Sequence, residues 1–210
     1  MPVDNFFLFF CNKSLLFPTN KVERADLPAE SHKGGDCMSH LKHHLETGAA
    51  YCATSVTAER NPLFNGPLAC RFFLTCLDYQ KQIFGFRLYG FVIMPDHFHC
   101  LLQPLRGTSI STIMKYLKGN FARKYNLITN AEGHVWQRKF YLKGIRGIPH
   151  LLRELEYCHN NPVRAGLVTS PEEYAFSSYH YYYGNAYRGM IDRFDGGSPM
   201  PPDITAAGHT

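Results

Sequence analysis

The sequence predicts an α+β fold of ferredoxin-like type, an antiparallel sheet with both connecting helices on one face. Three observations carry this. Hydrophobic periodicity reads as strand, helix, strand, strand, helix, strand between Tyr51 and Ile145; a Met94-Pro95-Asp96 turn joins two of those strands; and the helical stretches are amphipathic, each with a face to bury.

Tyr51 to Thr57 is the first strand, and Asn61-Pro62 with Asn65-Gly66-Pro67 marks a loop after it. From Leu68 to Phe84 the residues Phe72, Phe73, Cys76, Leu77 and Ile83 recur near helical spacing. Phe86 to Ile93 is a continuous apolar strand, and after the turn His97 opens its hairpin partner. A second helix begins at Ser109, capped by Thr108 or Ser109, with Ile110, Ile113, Met114, Leu117 and Phe121 on one face. Asn130 to Gly133 turns the chain, and Tyr141 to Ile145 supplies a fourth strand. A third helix starts at Pro149, a residue suited to the first helical position, and is expected to end near Asn161 because Pro162 follows. The domain is placed at residues 47–184. Residues 1–46 have no sustained period and are expected to be a poorly ordered extension, with Met38 as the natural start; residues 185–210, rich in Gly and Pro, are expected to form a loose tail.

Composition narrows the function classes. The aromatic fraction, 14%, is high enough to suit either a Phe-rich core edged by Tyr or stacking on unpaired bases. A formal charge of +5 is compatible with a polyanionic partner without requiring one. Seven scattered cysteines, with no Cys-x-x-Cys, exclude a disulfide framework and a zinc knuckle and fit a reducing cytoplasm. The apolar run Phe6 to Phe10 is too short to span a bilayer and follows no basic residue, so neither a membrane helix nor a signal peptide is expected.

Two stretches carry candidate chemistry. In an extended strand, side chains two apart point the same way, so His97 and His99 project together while Phe98 faces the other side. Such a pair is either a metal claw or a packed pair of rings. On the third helix, at about 100° per residue, Leu151, Leu152, Leu155 and Cys158 form the buried stripe, while Arg153, Tyr157 and Asn161 share the opposite side. Tyr157 is thus off the core stripe, either as a plain surface residue or as a reactive one, and Asn161 one turn on could offer a carbonyl oxygen to a hard cation. The second helix carries Lys115, Lys118, Arg123 and Lys124 on its polar face, which suits simple solvation or phosphate contact.

From Tyr51 to Gly184 the chain resembles the single-tyrosine HUH transposases (the IS200-like transposase superfamily), in particular the REP-associated tyrosine transposase branch. The resemblance rests on separated blocks: Tyr51-Cys52-Ala53-Thr54-Ser55 with Pro62-Leu63-Phe64, Gly90 through His99, Gly133-His134-Val135-Trp136-Gln137, Tyr157 through Val168, and Phe176-Ser177-Ser178-Tyr179. It implies that His97 and His99 are the metal pair, Tyr157 the nucleophile, and Asn161 a third metal ligand, with Mg2+ or Mn2+ as the divalent ion. It further implies cleavage and rejoining of single-stranded DNA through a 5′-phosphotyrosine at hairpin or repeat ends, in the cytoplasm with the nucleoid. The implied protein is a monomer, with a dimer as the other possibility. Beside the basic face of the second helix, Arg138, Lys139, Lys143 and Arg146 are expected to contact the DNA backbone, and Trp136 either stacks on an unpaired base or anchors the core. Four positions depart from the family pattern: Cys52 where histidine is common, Val56 where a basic residue is common, Lys139 in place of arginine, and Tyr174 with Phe176 in place of tryptophans. Two other readings use the same residues: a DNA-hairpin binding protein without transposition, and a phosphodiester hydrolase attacking with a metal-bound water.

Overall fold

The computed structural model describes residues 49–105, 107–184 and 186–192. Four strands, β1 (Ala50–Val56), β2 (Arg87–Met94), β3 (His97–Gln103) and β4 (Tyr141–Ile145), form one sheet in the order β2-β3-β1-β4, every neighbouring pair antiparallel. Helix α1 (Pro67–Phe84) connects β1 to β2, α2 (Ile110–Thr129) connects β3 to β4, and α3 (Gly147–Arg164) follows β4. A one-turn helix α4 (Tyr179–Tyr182) comes last. This is the ferredoxin-like α+β arrangement the periodicity predicts.

Local chemistry sets the boundaries. Pro67 starts α1, and Gly85 ends it in a left-handed conformation (φ 65°) that a side chain would disfavour, its N–H bonded to Lys81 O at 2.8 Å. Ser109 caps α2 by accepting from Thr112 N–H at 3.1 Å. Strand alternation then separates two faces. On one, Phe98 packs on Phe73 and Trp136, and Phe121 of α2 meets Phe64, Phe72 and Phe73, so α1 and α2 cover an aromatic core. On the other, α3 lies on Cys52, Tyr89, Val92, Met94 and Leu101 through Leu151, Leu155 and Cys158.

Helix α3 approaches β2 closely because position 90 has no side chain. A Cβ there would stand 2.4 Å from Leu155 Cδ1 and 3.1 Å from Ser178 Oγ. The outer edge of β2 is covered by the segment before α4: Ile93 N–H donates to Phe176 O at 3.0 Å, Ser178 N–H to Phe91 O at 2.9 Å, and Phe91 N–H to Ser178 Oγ at 2.9 Å. Tyr174 supports the same edge, its hydroxyl donating to Ile93 O at 2.7 Å.

Three expectations are corrected. Helix α3 does not stop at Asn161 but runs through Pro162 to Arg164: in the last turn proline costs a single backbone bond, and Ala165 N–H still reaches Asn161 O at 2.9 Å. Ile83 lies 42% exposed, outside the stripe to which its spacing assigned it, and Phe84 is buried beside it. Residues 186–192 are no loose tail: Met190 and Ile191 are buried, Asp192 N–H donates to Leu88 O, and the Asp192 carboxylate accepts from Leu88 N–H and Lys81, each at 2.7–2.8 Å. The Gly and Pro that suggested looseness are concentrated after Asp192, and those residues, like 1–46 and Met38, lie outside the described residues.

Two outcomes follow for stability. Gly90→Ala lowers it by about 1–3 kcal/mol in denaturant titration, and adding Leu155→Ala makes the pair less than additive, because the new methyl then has room. His159 is buried against Ser178, its Nε2 2.9 Å from Oγ, and burial followed by the nearby His180 pushes its pKa from 6.5 down to about 3. Above pH 6.5 it is neutral in both states; below that the unfolded chain takes up a proton that the native site refuses, so stability falls as pH drops toward 3, with a slope of up to about 1.4 kcal/mol per pH unit from this group. His159→Gln flattens that part of a stability-against-pH curve.

Candidate active site

The sheet face under α3 carries the predicted metal pair. His97 and His99 project from it with ring centroids 5.0 Å apart. Each uses its Nδ1 internally: His97 Nδ1 lies 2.5 Å from Asp96 Oδ1, and His99 Nδ1 lies 2.7 Å from Thr54 Oγ1 on the neighbouring strand. A carboxylate can only accept, so His97 carries its proton on Nδ1, which leaves the Nε2 lone pair available. Outer contacts of this kind orient metal-binding histidines in general.

The hairpin turn that presents these rings is clamped from the β1 side. Thr57 N–H and Oγ1 donate to Asp96 O at 2.8 and 2.9 Å, Phe64 N–H donates to Pro95 O at 2.9 Å, and Arg60 pairs with Asp96 Oδ2 at 2.8 Å. Burial opposes the charge on Asp96, but the bonds from His97 and Arg60 outweigh it and hold the carboxyl below its ordinary range. His99 is buried, and that burial, with His97 beside it, pushes its pKa down to about 4, so it is a neutral imidazole at pH 7.

Tyr157 stands against His99 from α3. Its ring lies 6.1 Å from that of His99, centroid to centroid, and nearly perpendicular to it at 81°. At 42% exposed, it is off the buried stripe as the helical spacing predicts. Tyr157 and His99 line one open cleft of about 690 Å³ with Cys52 and Thr54 of β1, Tyr141 and Lys143 of β4, and His150, Arg153 and Glu154 of α3. Arg164 lies over the Tyr157 ring, its guanidinium carbon 5.1 Å from the centroid.

Two imidazoles are donors that a divalent cation accepts. Among the described residues no three His, Cys, Asp or Glu side chains converge as a metal cluster, so any third protein ligand is of another type. Asn161 suits this: its Nδ2 donates to Tyr157 O at 3.1 Å, which leaves the amide oxygen as an acceptor. It does not line the cleft that His99 and Tyr157 share.

The predicted DNA contacts divide into three groups. Lys115, Arg123, Arg138, Lys139 and Arg146 are exposed, whereas Lys124 is half-buried, with burial pulling its pKa down. Lys143 alone of the predicted contacts lines the cleft; its ammonium meets Glu154 Oε1 at 2.6 Å, and that bond raises its pKa above an ordinary lysine. Lys118 and Trp136 are engaged within the fold, and for Trp136 the structure selects one of its two readings. Lys118 donates to Gln137 O at 3.0 Å, is partly buried and holds the chain after Trp136, so one of its three N–H donors is committed to the fold. Trp136 is 8% exposed, wedged among Phe64, Phe73, Phe98 and Phe121, and its indole N–H donates to Lys118 O at 3.0 Å; it is the core anchor, with no open face for a base.

Sequence reasoning missed Arg164, Glu154, His150 and Thr54. Arg164 follows Tyr157 by two helical turns and would have been found had the helix been continued through Pro162. Thr54 was legible only through strand pairing, which sets it opposite His99.

Comparison with known proteins accords with this geometry. The family profile described as "Transposase IS200 like" matches residues 47–161, more than half of the chain, and the chain belongs to that family. Its relatives lie in the REP-associated tyrosine transposase branch. It is 27% identical over 153 residues to a protein of Haemophilus influenzae (strain ATCC 51907 / DSM 11121 / KW20 / Rd) described as a REP-associated tyrosine transposase, covering 68% of this chain and 86% of that one. It is 26% identical over 96 residues to the REP-associated tyrosine transposase of Escherichia coli (strain K12), covering 45% of this chain and 55% of that one. A solved REP-associated tyrosine transposase bound to a REP hairpin shares the fold with a TM-score of 0.60 at 19% identity, covering 75% of this chain and 92% of that one.

The burial of Trp136 gives a direct test. Trp136→Ala costs about 3–5 kcal/mol of stability by thermal or denaturant melting, as loss of a core aromatic does, where loss of an exposed stacking residue leaves stability unchanged.

Proposed function

We propose that this chain cleaves and rejoins single-stranded DNA at hairpin or repeat ends through a covalent 5′-phosphotyrosine on Tyr157, with His97, His99 and Asn161 holding Mg2+ or Mn2+. One observation carries the reading: the Tyr157 ring, off the helix's core stripe and solvent-accessible, stands against the imidazole of a paired-histidine strand in one cleft. A phenol and the inner imidazole of a paired-histidine strand, from elements far apart in sequence, have no packing reason to share an open cleft; His97 stands beside His99 but does not line it.

In the reaction the Tyr157 hydroxyl gives up its proton to solvent as its oxygen attacks phosphorus in line, the bond from phosphorus to the 3′ oxygen breaks, and the released oxygen takes up a proton from solvent as a free 3′-hydroxyl. The phosphate remains on Tyr157, so a later 3′-hydroxyl can displace the tyrosine and rejoin strands without an added energy source. The divalent ion, when bound, withdraws charge from a non-bridging phosphate oxygen and helps to orient the strand. Two imidazoles favour Mn2+ for affinity, while cellular abundance favours Mg2+.

The chain's own residues do the remainder. Neutral His99 is ready to bind without first losing a proton, and Asp96 and Thr54 hold the two rings by their Nδ1 atoms. A free phenol is only about 0.1% ionised at pH 7, a shortfall of roughly 4 kcal/mol in available nucleophile. Arg164 over the ring and Arg153 in the cleft bring positive charge to where the oxyanion forms. Exposed Arg138, Lys139 and Arg146, with Lys115 and Arg123 on α2, are suited to the DNA backbone, which steers a hairpin without reading its sequence. The protein acts as a monomer at the chromosome, in the cytoplasm. Among the described residues no helix is long and apolar enough to cross a membrane.

The experiment is Tyr157→Phe, assayed with single-stranded repeat hairpins and Mn2+ or Mg2+. It abolishes the covalent protein–DNA adduct seen on denaturing gels while hairpin affinity stays within about twofold. Adduct persisting in the variant overturns the nucleophile assignment; free 5′-phosphate product with no adduct in the wild type identifies a hydrolase instead.

A further inference from the structure

Glu154 is a carboxylate, 8% exposed, on the same α3 turn that carries Tyr157, and nothing in the phosphotyrosine chemistry requires an acid at that place. A buried anion beside an oxygen that must become negative is a hindrance unless something else offsets it. Two groups converge on it. Lys143 Nζ lies 2.6 Å from its Oε1, and His150 Nε2 lies 3.4 Å from the same oxygen. The His150 tautomer is set independently: its Nδ1 accepts from Arg146 N–H at 3.1 Å at the start of α3, so its proton is on Nε2, facing Glu154. Glu154 is thus held in place by the helix's own first turn.

Lys143 comes from the other side of the cleft. It sits on β4 opposite Cys52 in the sheet register, with Tyr141 opposite Thr54, and Cys52 and Thr54 both line the cleft that His99 and Tyr157 share. β4 is the outermost strand on that side, and the lysine stem is largely exposed. A free lysine there would sample many rotamers in water.

We propose that Glu154 is a positioning residue that fixes Lys143 at the Tyr157 cleft, where the Lys143 ammonium acts as the cation that stabilises the negative charge gathering on the attacked phosphate. This rests on the strand-cleavage reading above and deepens it: Lys143 serves the reaction centre rather than the distant backbone contact to which its charge alone assigned it. Lys143 and Tyr157 line the same cleft, as this placement requires.

The test is single-turnover adduct formation at saturating hairpin, alongside hairpin affinity and melting temperature, for the wild type, Lys143→Ala, Lys143→Arg and Glu154→Gln. Lys143→Ala slows adduct formation about 100-fold, the size of losing one electrostatic stabiliser of a transition state, with affinity nearly unchanged and a lower melting temperature, because buried Glu154 loses its closest cation. Lys143→Arg regains most of that rate, because the charge remains. Glu154→Gln loses about tenfold in rate, as removal of a supporting contact does. Wild-type rates in Lys143→Ala, or a loss that vanishes at saturating DNA, overturn the inference and leave Lys143 an ordinary backbone contact. Should Glu154→Gln fail to fold, the Lys143 pair decides alone, since that side chain is mostly in solvent. If the wild type forms no adduct at all, the strand-cleavage reading itself falls, which is a different result from a Lys143→Ala variant that works.

Discussion

The reach of Tyr157 over His99 depends on how closely α3 can approach the sheet, and that approach is set at Gly90. Any Cβ there would meet Leu155 Cδ1 at 2.4 Å, so either the leucine would have to leave its seat or the helix would have to lift. Leu155 is two residues before Tyr157, and a displacement of about an ångström at the helix is enough to cost a reaction of this kind much of its rate. Packing and chemistry therefore meet at one contact. The small residue on β2 allows the leucine to seat, and the seated leucine fixes where the phenol hangs.

The opposite face of the sheet is built to absorb that demand. Phe64, Phe73, Phe98, Phe121 and Trp136 interlock there with ring centroids 4.4 to 6.2 Å apart, an arrangement that buries much apolar area with few rotatable bonds. Phe98 lies between His97 and His99 on the strand, so the histidines are anchored by the ring that points away from them. The loop after β1 adds a second anchor by bonding to Pro95 and Asp96. It does so with Glu59 and Arg60 both in left-handed backbone (φ 52° and 54°), a cost borne by a segment that holds the turn before His97.

Most of the fold was legible because its signals are local. Tyr141 to Ile145, the start of β3 at His97 and the Ser109 cap are all read correctly from periodicity and turn chemistry. The site was half legible. His-x-His and the off-stripe Tyr157 can be seen from strand and helix periods, and the family blocks tie them together. Glu154 and His150 escaped because a period marks a position as facing the core or solvent and says nothing of a charged residue buried with partners. Lys143 was visible as a charge, but its partner 11 residues on depends on how the β4–α3 corner folds. Pro162 misled in a definite way: it is read as the end of a helix, yet near a C-terminus its missing N–H removes one bond and no more.

The placement of Cys52 shows how a departure from family pattern can be tolerated. It occupies a cleft position where a histidine is common, and burial followed by the nearby Glu154 pushes its thiol up to about 11, despite Lys143 acting the other way. At pH 7 it is a small neutral group rather than a thiolate, so it neither competes for a hard cation nor adds negative charge beside Tyr157. The charge balance of the cleft is consequently set by Glu154 against Lys143 and Arg153, one anion against two cations, with Arg164 over the Tyr157 ring. An excess of positive charge around an exposed phenol suits the proposed attack on a phosphodiester, in which negative charge accumulates, and it arises without any contribution from the residue that changed.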